Sequence, residues 1–318
     1  MPLYNKAQYV KRALERIIAQ SYNDWELIIV DDGSTDNSAT ICEEYLDSLT
    51  PSLPYSFIKQ SNSGVAVARN RGVAESHGEF LCFLDADDWW EPTFLEEMDK
   101  LIGSYPDAGL YATNYVYYKP GKTHVALNMK TGYITYPQAY LKSVAMPVWT
   151  GATCMPRKVF DEMGGFPVGI KLGEDFLLWA KTALHYPVAF CEKPLAYYNN
   201  DVPASMRATR NLHAPEHHML FNLQPIEDDI NHLQSTSNQS ADWKRLLGWL
   251  RASGLMDYWL SDKYHAIAAA ELQKVDWSKQ PQSIVRLYKV PLWVLRAKRQ
   301  FMQIGSYYKQ KFARYFNK

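Results

Sequence analysis

Over the first two hundred residues, short apolar runs of strand type alternate with stretches of helical pattern. Trp25-Glu-Leu-Ile-Ile-Val30 is one such run, flanked by helical character over residues 7–18 and 37–46. A strand at 57–58, a helix over 65–76 and a strand over 79–84 repeat the alternation, and strand-like stretches return at 109–118 and 188–198. Strands separated by helices predict an α/β fold, a mostly parallel sheet flanked by helices on both faces. Such a sheet gathers its ligands at the carboxyl ends of its strands.

Two acid clusters stand at those ends. Asp31-Asp-Gly-Ser-Thr-Asp36 follows the strand ending at Val30, and its Ser and Thr can cap the next helix. Phe80-Leu-Cys-Phe-Leu-Asp-Ala-Asp-Asp-Trp-Trp90 runs from five apolar residues into three acids. If the strand continued, Asp85 and Asp87 would face one side and Asp88 the other. Two carboxylates on one side suit a hard cation, Mg²⁺ or Mn²⁺, which leaves coordination positions open for phosphates and acts as a Lewis acid toward a diphosphate leaving group. The alternative is a solvated turn with Asp88 as a helix cap. A calcium loop is not expected, because its Gly and distal Glu are missing. Of Trp89 and Trp90, one is expected in the core and the other against a ligand. His124, His185 and the His217-His218 pair lack zinc-ligand spacing and read as ordinary histidines.

A chain of 318 residues can bury one large core or two smaller ones, and 47% hydrophobic with 21% charged residues is ordinary globular composition. Cys42, Cys82, Cys154 and Cys191 lie far apart, which reads as a reducing compartment. No apolar run approaches the roughly 18 residues that a membrane span needs. After about residue 201 the character changes, and we place a boundary near 210, between a catalytic domain over 1–210 and a helical C-terminal region over 211–318. Net charge is zero, but residues 277–318 carry ten Lys and Arg and no Asp or Glu. Val294, Ala297, Phe301, Ile304, Tyr308, Phe312 and Tyr315 fall at steps of three and four. This predicts a basic amphipathic helix over 294–315 that lies on an anionic membrane; the alternative is a helix docked on the catalytic domain.

The order of motifs resembles the family 2 glycosyltransferases. The matching pieces are Pro2-Leu-Tyr-Asn-Lys6, the stretch from Gln20 to Asp36, Asn62-Ser-Gly-Val-Ala-Val-Ala-Arg-Asn-Arg-Gly72, Leu84-Asp-Ala-Asp-Asp-Trp89 and Gly173-Glu-Asp175; nothing beyond about residue 205 is covered. The resemblance implies a GT-A fold, Rossmann-like, with the C-terminal helices as an extension. It implies an inverting transfer of a hexose from a UDP-sugar to a saccharide or lipid-linked acceptor, in surface polysaccharide or lipopolysaccharide synthesis, by a protein in the cytoplasm or at the inner face of its membrane. Pro2 and Tyr4 then flank the nucleoside. Asp32 meets the uracil edge beside Asp31, and Arg69 lies near ribose or phosphate. Asp85 and Asp87 form the D-x-D pair, with Asp87 the direct metal ligand. Asp175, with Glu174 as alternate, is the general base. The family pattern also places an apolar strand before Pro2, which implies a reading frame extending upstream of Met1. Competing classes are a nucleotidyltransferase-like enzyme, whose Gly-rich loop with a Lys is missing, and a non-catalytic carbohydrate-binding protein. A nucleic-acid partner is not expected.

Overall fold

A computed structural model describes residues 1–49, 54–143, 145–203, 206, 212–233 and 238–297. The chain divides into two compact units, residues 1–236 and 237–318.

In the first unit, β1 (Pro2–Leu3), β2 (Leu27–Asp31) and β3 (Tyr55–Lys59) form a parallel sheet, joined by α1 (Val10–Ile18) and α2 (Ser38–Asp47). Helix α1 buries Val10, Ala13, Leu14 and Ile17, the i, i+3, i+4, i+7 stripe of a helix with one apolar face. All five residues of β2 are buried, as expected of a central strand covered on both sides. Helix α3 (Val65–Ala74) follows, with Ala68 packed on Ile28 and Val30.

A second, mixed sheet has the order β4-β9-β6-β10-β5, made by β4 (Phe80–Cys82), β5 (Trp89–Trp90), β6 (Leu110–Lys119), β9 (Thr153–Pro156) and β10 (Val188–Asn199). Strands β7 (Lys122–Val125) and β8 (Gly132–Ile134) pair with β6 and β10. The β6–β10 pairing is parallel and is interrupted by irregularities between Cys191 and Ala196; its other pairings are antiparallel. Helices α4 (Phe94–Ser104), α5 (Tyr136–Ser143), α6 (Arg157–Met163) and α7 (Glu174–His185) complete the layers. A cavity of about 470 Å³ lies between the two sheets, bordered by Ile28, Leu81, Cys82, Met98 and Cys154.

The first unit reaches beyond the expected boundary near 210. Residues 215–221 and α8 (Gln224–His232) belong to it: Leu172 pairs with His218, and Ile226 and Ile230 are buried. The second unit contains α9 (Asn238–Gly254), α10 (Met256–Leu260), α11 (His265–Gln273) and α12 (Gln282–Lys289); α9 buries Trp243, Leu246 and Leu250, and α11 buries Leu272. The buried Arg251 pairs with Glu271 at 2.9 Å. The amphipathic stripe expected over 294–315 lies, beyond residue 297, outside the described residues.

Candidate active site

Backbone turns bring the two acid clusters to one end of the sheets. Gly33 has φ +74°, and a Cβ there would stand 2.9 Å from the Asn62 amide, so the turn after β2 needs glycine. Asn5 ties β1 to that turn: its side-chain oxygen accepts from the Thr35 amide at 2.8 Å, and its own amide donates to Ser34 Oγ at 3.0 Å. Tyr4, beside it, is 45% exposed. Asp31 accepts from the Ser34 amide. Asp32 is buried and accepts from Gln60 Nε2 and the Ser63 and Gly64 amides, each at 2.8 Å. Three donors fill most of a carboxylate's roughly four lone-pair positions and leave room for one more.

Beyond Cys82 the chain leaves the strand, and the Asp88 amide donates to Asp85 O at 3.0 Å in a tight turn. Strand alternation therefore does not set the directions of these acids. Asp87 meets Lys6 Nζ at 2.5 Å and Asp85 meets Arg69 at 2.7 Å. Asp88 is buried and accepts from the Asn199 amide at 2.7 Å; burial, with the charges of Asp87 and Asp85, holds its carboxyl well above the usual range. Both Trp89 and Trp90 are buried, so the expected division between core and ligand does not occur. Trp89 stacks on Tyr197 with Arg12 over its ring, and Trp90 donates to Gly151 O.

Arg69, on α3, is 6% exposed and joins two parts of the site. One terminal nitrogen donates to Asp85 and the other to Glu174 at 2.8 Å. Glu174 and Asp175 open α7 after Gly173, which has φ +84°. Glu174 is buried, and burial together with the Asp175 charge raises its pKa, an effect that Arg69 partly offsets. Asp175 is half-buried; Thr150 Oγ1 donates to one of its oxygens at 3.0 Å, and the other accepts from the Phe176 amide. Of the two neighbours, Asp175 is the accessible one.

Among the described residues no group of three or more His, Cys, Asp and Glu gathers as a metal cage. His185 pairs with Asp229, and His217 meets Gly169 O. Mg²⁺ and Mn²⁺ need only one or two protein carboxylates when substrate phosphates complete the shell. Asp85 and Asp87 are partly exposed, and Arg69 and Lys6 each meet a single oxygen of them, so the second oxygen of each carboxylate fits that requirement. Lys6, Thr150 and Arg12 escaped the reading of the sequence. Lys6 is 81 positions from Asp87 and Thr150 is 25 from Asp175, and no spacing rule connects them.

A sequence model described as Glycosyl transferase family 2 matches residues 1–164. The glycosyltransferase GlyA of Streptococcus pneumoniae is 37% identical over 115 residues, 36% of this chain and 16% of GlyA. GlyG of the same organism is 30% identical over 131 residues, 38% of this chain and 43% of GlyG. The chain thus matches less than half the length of either relative. The crystal structure of residues 1–349 of TarS from S. aureus, in complex with UDP-GlcNAc, superposes with a TM-score of 0.68 at 18% identity, over 89% of this chain and 81% of that one.

Proposed function

The chain belongs to glycosyl transferase family 2 and has a GT-A fold, and from that premise we propose that it transfers a sugar from a UDP-sugar to a saccharide or lipid-linked hydroxyl with inversion. The observation that carries this reading is the pairing of buried Arg69 with both Asp85 and Glu174, which joins the acid turn after β4 to the start of α7 beside Asp175. TarS binds UDP-GlcNAc on a similar fold, and the same nucleotide class is the donor proposed here.

Tyr4 and Pro2 flank the nucleoside, and the remaining lone pair of Asp32 accepts from the uracil edge. Arg69 fixes Asp85 beside the ribose. Asp87 and Asp85 would hold a divalent cation, which when bound would supply positive charge to the diphosphate. Lys6, at Asp87, adds a second positive charge at the same place. Asp175 takes the proton of the acceptor hydroxyl. The hydroxyl oxygen forms its bond to the anomeric carbon from the face opposite UDP, and the electron pair of the breaking C–O bond leaves with UDP. One displacement inverts the anomeric centre. General-base assistance of this kind contributes about 10²–10⁴ in rate.

The product is proposed to enter a surface polysaccharide or lipopolysaccharide, with the protein in the cytoplasm at the inner face of the membrane. Among the described residues no helix is long and apolar enough to cross a membrane. Support for surface contact comes from α12, which buries no residue, from Trp293 at 74% exposure, and from the ten basic and no acidic residues over 277–318. Isothermal titration with UDP, GDP and CDP, with and without Mn²⁺, tests the donor assignment. UDP is expected to bind in preference, with Mn²⁺ strengthening it in the wild type and not in Asp87→Asn. Equal binding of all three nucleotides would overturn it.

A further inference from the structure

The reading above leaves the acceptor side of Asp175 without a binding surface. Strands β7, β6 and β10 lie side by side, and their register aligns His124 with Tyr117 and Tyr117 with Tyr198. Cross-strand partners share a face, so three rings form a row across three strands. His124 and Tyr117 stack with centroids 4.9 Å apart, and Tyr117 meets Tyr198 edge-on at 5.7 Å. The neighbouring residues Tyr118 and Tyr197 point to the opposite face, where they enclose Trp89. His124 is exposed, and Tyr117 and Tyr198 are half-buried, as are Tyr118 and Tyr197.

Residues next to Tyr198 connect the row to the acid turn and to the base. On one side the Asn199 amide, next to Tyr198, donates to Asp88. On the other, Tyr198 meets Trp149 edge-on at 5.4 Å, and the adjoining Thr150 holds Asp175. Tyr115, two residues earlier on the same face of β6, meets Tyr117 edge-on, with its hydroxyl 3.2 Å from that of Tyr117. Aromatic surfaces with polar tips suit a ligand that is apolar on its faces and hydroxylated at its rim.

Building on the donor and base assignment above, we propose that His124, Tyr117 and Tyr198 form a stacking platform for a pyranose ring of the acceptor saccharide. The C–H face of the ring lies on Tyr198, against the outward edges of Tyr117 and His124, and one of its hydroxyls is delivered to Asp175.

Saturation-transfer NMR tests this with the UDP-loaded protein and two probes, methyl β-glucopyranoside and methyl N-acetyl-β-glucosaminide. The wild type transfers saturation to the ring protons of at least one probe. Tyr117→Ala and Tyr198→Ala weaken that binding by about tenfold, while Tyr133→Ala, an exposed tyrosine on β8, leaves it unchanged. Tyr117→Leu, which keeps apolar volume on the strand, replaces the alanine variant if circular dichroism finds that one unfolded, and the same loss is expected. UDP affinity, measured on each sample, stays at the wild-type value. No transfer from either probe in the wild type, or equal transfer in wild type and folded variants, overturns the platform. Loss of UDP binding by the wild type itself would overturn the donor reading instead.

Discussion

Asp175 is held by two donors, a buried hydroxyl and a backbone amide. Thr150→Val keeps the shape and removes the hydroxyl, so the carboxylate is free to turn. Transfer is expected to fall about tenfold, consistent with the loss of one hydrogen bond to a charged group, with donor KM unchanged and activity regained in Thr150→Ser. A loss caused only by packing would not be regained by serine. His218 supplies a prediction on stability. It is buried and accepts from the Leu220 amide, and desolvation, with His213 nearby, pushes its pKa down to about 4. The folded protein therefore binds fewer protons than the unfolded chain between pH 6.5 and 4, and stability falls as pH drops through that window by up to about 3 kcal/mol. Melting His218→Asn and wild type at pH 7 and pH 4.5 checks this: the variant keeps an acceptor for Leu220 and is expected to lose less on acidification. An equal loss in both proteins would contradict it.

Arg69 links elements: it sits on α3, and its two carboxylates belong to the turn after β4 and to the first residue of α7. Removing one member of a buried charged group leaves the others uncompensated, at about 3–5 kcal/mol. Arg69→Met is expected to lower stability by that order in urea titration, and Arg69→Met with Glu174→Leu to recover part of it. Sequence pattern located β2, β6, β10 and α1 because their apolar residues follow the period of the element. It did not locate β9, a four-residue Thr-Cys-Met-Pro strand with no period to read, nor the antiparallel partners of β4 and β6. Strand alternation could not set the directions of Asp85, Asp87 and Asp88, because the strand ends at Cys82 and a turn carries the acids. That acids gather at strand ends was legible; which cations meet them was not, since Lys6 and Arg69 reach Asp87 and Asp85 through long-range folding. The same holds for Trp89 and Trp90, whose burial depends on Tyr197 and Gly151.

At the scale of the whole molecule the chain divides after residue 236. The first unit contains all the residues assigned to the donor and the base, so residues 1–236 alone are expected to fold and to bind UDP with the affinity of the full chain, as titration would measure. The basic residues concentrated over 277–318 belong to the second unit. Cosedimentation of the full chain with acidic vesicles is expected to weaken as salt rises, because each basic residue near an anionic surface contributes about 1 kcal/mol and salt screens it. Residues 1–236 are expected to stay in the supernatant. Equal binding by both chains would remove the second unit from the membrane proposal. The central claim is that the acid cluster transfers sugar from UDP, and the most direct measurement is UDP release from a panel of UDP-sugars with Mn²⁺. The wild type is expected to release UDP from at least one of them, with Asp87→Asn and Asp175→Asn lowering the rate by about 10²–10⁴ while remaining folded. No release from any UDP-sugar, or wild-type rates in both variants, would contradict it.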